Sequence, residues 1–244
     1  MRKRLLFLLF VLFALSGCAA SNGHATLNAL DKPLAWQEER EKPFGRYDFG
    51  KLDEKKFNDL LKEKFKISLP EYYKDLTITF TKNLVKNQVS LDQTDYFILA
   101  QGETLGLRIV NEYKKDQELA LYTVVELEYE FDKDQNQVTL KKQTIIVNDA
   151  TTKGTFPKEE FNQLIKDMGQ VMNITGIKKE LNEFNTLTEK EKNKLGGQLV
   201  FIHDDSVISK EKNELQKAIS VEYNQEGVMR NIYFYIIDAI DEEK

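Results

Sequence analysis

ELALYTVVELEYEFDKDQNQVTLKKQTIIVND, residues 118–149, alternates apolar and polar side chains over most of its length. Leu119, Leu121, Val125, Leu127, Tyr129 and Phe131 share one face of an extended chain. Glu126, Glu128 and Glu130 share the other. Period-two alternation marks a strand with one buried face. The polar run 132–136 interrupts it, and Val138 and Leu140 resume it, so the segment reads as a long β-hairpin. Strict alternation sets Val138 and Leu140 beneath Phe131 and Tyr129, and places Glu128 opposite Lys141. An opposite-charge pair across two strands contributes about 0.2–1 kcal/mol.

More strands flank this hairpin. Upstream, 96–100 is a short apolar run, and Gln101-Gly102-Glu103 turns it into Leu105, Leu107 and Ile109. Leu76, Ile78 and Phe80 alternate with Thr77, Thr79 and Thr81, which also reads as a strand. Downstream, Leu199 to Ile202 and then Leu215, Ile219, Val221 and Tyr223 mark two more. The turn Asn224-Gln225-Glu226-Gly227 leads to a final strand over 228–240. There Ile232, Phe234 and Ile236 face one way and Tyr233, Tyr235 and Ile237 the other. An apolar character on both faces predicts a central strand, or an outer one covered by helices.

Helical spacing appears in two places. From Asp53 through Phe65, Leu52, Phe57, Leu60, Leu61 and Phe65 recur every three or four residues, and Pro70 ends the region. After Pro157, Phe161, Leu164, Ile165, Met168, Val171 and Met172 form one stripe, and Ile174, Ile177, Leu181 and Phe184 a second. Thr188 with Glu191 has capping-box spacing for a further short helix that Gly196-Gly197 would close. The order helix, strands, helices, strands predicts an α+β fold, with antiparallel sheet and a helical segment in the middle. With only 4 prolines and 12 glycines, no long linker divides 51–244. This span is one globular domain or two subdomains, 51–150 and 151–244.

The beginning of the chain has a different grammar. Arg2, Lys3 and Arg4 precede an apolar run from Leu5 to Leu15, and Leu15-Ser16-Gly17-Cys18 follows. Eleven apolar residues are too few to span a bilayer core, which takes roughly 20, and the order is that of a secretory signal peptide. The four residues resemble the lipobox of bacterial lipoproteins. That resemblance implies a signal peptide over 1–17, diacylglycerol or palmitate-type acylation of Cys18, and residence on the outer face of the cytoplasmic membrane. Residues 18–50 then read as a tether, since Ser21-Asn22-Gly23, Lys32-Pro33 and Lys42-Pro43 break any periodicity. Leu34, Trp36, Phe44, Tyr47 and Phe49 predict that its second half packs on the domain.

Removal of Arg2, Lys3 and Arg4 with the signal peptide takes the formal charge from −5 to −8. An acidic domain stands off an anionic membrane surface, and nucleic acid is excluded as a partner. After the leader the only arginines are Arg40, Arg46, Arg108 and Arg230, a lysine-over-arginine bias that fits an AT-rich, Gram-positive coding background. Cys18 is the only cysteine, so no disulfide framework exists.

Catalytic signatures are sparse. His24 lies in the tether. His203 precedes Asp204, Asp205 and Ser206, but adjacency in sequence does not make a triad, and these residues read as a polar turn after a strand. No His-Glu-x-x-His, phosphate loop or nucleophile elbow occurs. The run from Asp132 lacks the sixth-position glycine and twelfth-position glutamate of a calcium loop, having Gln137 and Gln143 instead. Neither a metal nor a cofactor is expected. The reading is a non-catalytic lipoprotein that binds a protein partner outside the membrane, with Glu126, Glu128 and Glu130 as the partner face. One form of it is an immunity protein against a secreted toxin. A cell-wall or small-ligand binder using Trp36, Tyr72, Tyr73, Tyr96, Tyr233 and Tyr235 is the alternative, and a carboxylate-based envelope hydrolase ranks below both. Cys18→Ser is expected to abolish acyl labelling and release the protein from the membrane fraction; retention without acyl label would refute the lipobox reading.

Overall fold

Strands β5 (Glu118–Asp132) and β6 (Gln137–Asp149) form the expected hairpin near the middle of an antiparallel sheet. The computed structural model describes residues 25–86, 88–151 and 158–238. Cys18, the residues before it and His24 lie outside them. Among the described residues seven further strands join the hairpin: β1 (Gln37–Glu39), β2 (Gly45–Leu52), β3 (Ser90–Gly102), β4 (Thr104–Lys115), β7 (Leu199–Asp204), β8 (Gln216–Tyr223) and β9 (Met229–Ile237). The order across the sheet is β2-β3-β4-β5-β6-β9-β8-β7, and β1 pairs with the start of β6. The fold is α+β, as predicted, and β9 is central. Among the described residues no helix is long and apolar enough to cross a membrane.

Register in the hairpin departs from strict alternation at one point. Phe131 faces Val138 and Tyr129 faces Leu140, as expected, but Glu128 faces Lys142 and not Lys141. Lys141 is the extra residue of a β-bulge. Beyond it the core-facing positions of β6 change from even to odd, from Val138 and Leu140 to Ile145 and Val147. The bulge also separates two pairings: residues 137–139 bond β1, and residues 142–148 bond β9.

Helices cover one face. α1 (Glu54–Asp59) continues into a wider π-type turn over Leu60–Phe65, and α2 (Tyr73–Leu84) follows, both between β2 and β3. α3 (Lys158–Val171) and α4 (Ile177–Glu191) connect β6 to β7, and α5 (Ser206–Lys212) connects β7 to β8. Asp53 caps α1 as its position predicts, its carboxylate accepting from Lys56 N at 2.8 Å. The predicted stripes of α3 and α4 are buried against the sheet in one continuous apolar core that runs through both halves of the chain. Gly169 lets α4 close on α3: a Cβ there would stand 2.6 Å from Ile177 Cγ1.

Three further expectations change. Residues 76–81 are helical, within α2, and not a strand. Leu76, Thr79, Phe80, Asn83 and Leu84 are buried at helical spacing, while Ile78 is 55% exposed. The Thr77 and Thr81 hydroxyls donate to the carbonyls four residues back, each at 3.0 Å, so the β-branched run is accommodated. Burial against α3 overrides its strand propensity. Asp167 of α3 accepts from Lys82 Nζ at 2.8 Å, Asn83 Nδ2 at 2.9 Å and Gln163 Nε2 at 2.7 Å. Burial works to raise the Asp167 pKa, but those donors outweigh it and hold it below the usual carboxylate range. Second, Thr188 caps nothing: it lies inside α4 and its hydroxyl donates to Phe184 O.

Third, the second half of the span read as a tether packs on the domain as predicted, but packing begins earlier, at Ala25. Leu34 and Phe44 are buried and β2 forms one edge of the sheet. Gln143 Nε2 donates to Leu34 O at 2.6 Å. Trp36 packs edge-on to the buried Tyr129, ring centroids 5.2 Å apart, and both side chains hydrogen-bond Ser68. Asp31 and Lys217 form a buried ion pair at 2.6 Å that fastens this segment to β8. Removing one partner of such a pair strands the other charge, at a cost of about 3–5 kcal/mol. Urea denaturation of Lys217→Ala is expected to show a loss of that size, and Asp31→Leu combined with Lys217→Met is expected to recover most of it.

Candidate binding face on the open side of the sheet

The helices leave the other face of the sheet open, and strand register determines what it displays. One row across it reads Leu99, Gly106, Glu128, Lys142 and Ile237. The next reads Phe97, Arg108, Glu126, Thr144 and Tyr235. Gly106 stands where its neighbours carry side chains. An added Cβ would meet nothing nearer than the Leu99 carbonyl oxygen, at 3.8 Å, so the glycine leaves real space. A depression of about 380 Å³ opens there, walled by Phe97, Leu99, Arg108, Glu126, Glu128 and Lys142. Leu99 is 45% exposed at its edge.

Glu126, Glu128 and Glu130 all lie on this open face, as their alternation implied. They are not equivalent. Glu126 lies 3.6 Å from Arg108, and Glu128 stands across from Lys142. Glu130 stands between Thr104 and Thr139. Negative character therefore increases toward the β5–β6 turn. In that turn Asp132 Oδ1 accepts from the backbone N–H groups of Asp134 and Gln135, which explains the polar run without a cation. Gly106, Arg108 and Lys142 are functional candidates that the sequence reading missed. The signal for Gly106 was a glycine at an outward position of an otherwise regular alternation.

Toward β8 the face becomes aromatic. Tyr233 and Tyr235 stack with ring centroids 5.8 Å apart, their planes 9° from parallel. Tyr233 Oη donates to Glu222 Oε2 at 2.7 Å, and Asn231 Nδ2 donates to the same oxygen at 2.6 Å. These two bonds hold the Glu222 carboxyl below its usual range. Val124 is buried here although it lies outside the main apolar core. The six aromatics expected to share a ligand groove are thus divided by the sheet. Tyr233 and Tyr235 lie on the open face. Tyr72 is in the core with Tyr73 half-buried against it, Trp36 packs on Tyr129, and Tyr96 packs against Phe57 with ring centroids 4.7 Å apart.

His203 belongs to β7 and not to a turn, and Ser206 opens α5. The histidine bridges two carboxylates: Nδ1 lies 2.9 Å from Glu180 Oε2 on α4, and Nε2 lies 3.6 Å from Asp205 Oδ2. Asp205 Oδ1 accepts from Lys217 N at 2.6 Å. The arrangement clasps α4, β7 and β8 together, and the Asp205 carboxylate also takes a hydrogen bond from the Ser209 side chain. Burial favours the neutral imidazole, but Asp205 and Glu180 outweigh it and raise the His203 pKa. Among the described residues no group of three or more His, Cys, Asp or Glu side chains is arranged to hold a metal ion.

Comparison with protein-family models, with curated proteins and with solved structures gives no match.

A raised histidine pKa stabilises the fold fully below the unfolded value, and the contribution fades as pH climbs through the folded value. Urea midpoints of wild type and His203→Gln are expected to differ more at about pH 5.5 than at about pH 8.5. An equal gap at both pH values would show that the His203 charge is not linked to folding.

Proposed function

We propose that the chain is a membrane-anchored extracytoplasmic lipoprotein without catalytic activity, whose open sheet face binds a protein partner bearing basic side chains. The observation that carries this reading is the juxtaposition, on one exposed face, of an apolar-edged depression at Gly106, a graded acidic stripe and a stacked tyrosine pair. Protein interfaces place aromatic anchors beside pockets and use surrounding charge to steer the partner and select it. An immunity protein that captures a secreted toxin outside the membrane is one concrete form of this function. In support, diacylated Cys18 would hold the domain stably, since two acyl chains suffice where one does not. Seven residue steps separate Cys18 from Ala25, a reach of at most about 25 Å. The domain would thus meet its partner close to the lipid surface.

The volume of the depression favours a second reading, a cell-wall fragment or other small ligand, because about 300–1,000 Å³ is usual for such sites. It ranks lower because the depression is lined by four charged side chains, Arg108, Glu126, Glu128 and Lys142, and by a single aromatic ring, Phe97.

The test compares wild type with the double variant Glu126→Lys/Glu128→Lys, both cross-linked in intact cells and recovered from detergent extracts. Both positions are on the solvated face, so only a small fall in melting temperature is expected, as each reversal sets a lysine beside Arg108 or Lys142. One protein should be recovered with wild type and, when purified, bind the variant about tenfold or more weakly. Equal binding would exclude this face, and recovery of no partner would exclude the protein-binding reading.

A further inference from the structure

The first described residues are pinned beside α5. Ala25 N donates to Asp238 Oδ1 at 2.8 Å, and Thr26 N donates to Asn213 O at 2.6 Å. Asn213 is the residue that ends α5. This seven-residue helix buries Ser209 against the domain and turns Val207 and Ile208 to solvent, at 72% and 55% exposure. Leu30, 68% exposed, directly precedes Asp31, whose carboxylate is held by Lys217. The backbone N–H of Lys217 is in turn bonded to Asp205, the residue before α5. Three of the four most exposed large apolar side chains among the described residues thus sit on the two segments that meet where the chain arrives from Cys18.

Exposed branched aliphatic side chains on so short a helix add nothing to the core, and they sit where the lipid surface would be nearest. Seven residue steps from Cys18 cannot carry Ala25 more than about 25 Å from the acylated sulfur's position. Lys210 and Lys212 flank Glu211 in the last turn of α5, so the charge there is mixed and the attraction to lipid is that of the apolar side chains, acting against the standoff expected from net charge alone. We infer that Val207, Ile208 and Leu30 form a membrane-docking tip that enters the headgroup region around the Cys18 acyl chains, fixing the orientation of the domain. The apolar tip supplements the anchor, in the manner of interfacial helices, and does not replace it. The inference rests on the reading of Cys18 as the lipidated residue.

The test uses the full lipidated chain. With Cys18 acylated, a cysteine introduced by Val207→Cys or by Lys115→Cys is the only free thiol. Lys115 lies at the turn between β4 and β5, at the other end of the strands. Each variant is labelled with an environment-sensitive fluorophore and reconstituted into phosphatidylglycerol–phosphatidylethanolamine vesicles containing nitroxide-bearing lipids. The probe at 207 is expected to shift to the blue and be quenched, and the probe at 115 to do neither. Flotation with the vesicles reports the anchor separately. Flotation with the 207 probe as unquenched as the 115 probe would overturn the docking tip and leave the anchor standing. Absence of flotation would overturn the anchor and the tip together.

Discussion

Strand β6 serves two neighbours along a single edge, and the molecule is arranged around that demand. Its first residues bond β1, which belongs to the N-terminal segment, and the remainder bonds β9, near the end of the chain. The bulge at Lys141 separates the two, and Asp238 N donates to Lys141 O at 2.8 Å. Asp238 then accepts from Ala25 N. Both ends of the described chain are thus joined to the central hairpin through one irregular residue. A bulge of this kind also shifts the phase of the strand. That shift keeps Ile145 and Val147 in the core together with Val138 and Leu140.

The same sheet has an open face because its helices cover the other. Once α1 to α4 have covered the apolar side, the other side has only its own side chains. Most of it satisfies itself: Glu222 takes Tyr233 and Asn231, and Glu126 meets Arg108. What stands out on it is local, namely the missing side chain at Gly106, the exposed edge of Leu99 and the charge toward Glu130.

Legibility varied with how local the deciding forces were. The hairpin, its turn and the pairing of Phe131 with Val138 were readable because side chains in a half-buried strand must alternate. The one-residue slip at Lys141 was visible only as a change from even to odd apolar positions between Leu140 and Ile145. Residues 76–81 misled because Leu76 and Phe80 fit both a period of two and a spacing of four. Their burial against α3 decided the matter, with Lys82 and Asn83 reaching Asp167, 85 and 84 residues away. At the site, the acidic stripe was legible, but its partners Arg108 and Lys142 come from neighbouring strands and depend on register.

The sequence by itself determined the α+β class, the central hairpin, the helical stripes of α3 and α4, and the outward alignment of Glu126, Glu128 and Glu130. Each follows from periodicity, which is a property of adjacent residues. The sequence also foretold that Leu34, Trp36, Phe44 and Phe49 pack on the domain; only the tertiary structure decided that packing begins as early as Ala25 and is held by the buried Asp31–Lys217 pair across 186 positions. It alone set Lys142 opposite Glu128, opened the depression at Gly106 and brought α5 beside Ala25. Those features come from contacts between distant segments, where burial and register outweigh local preference.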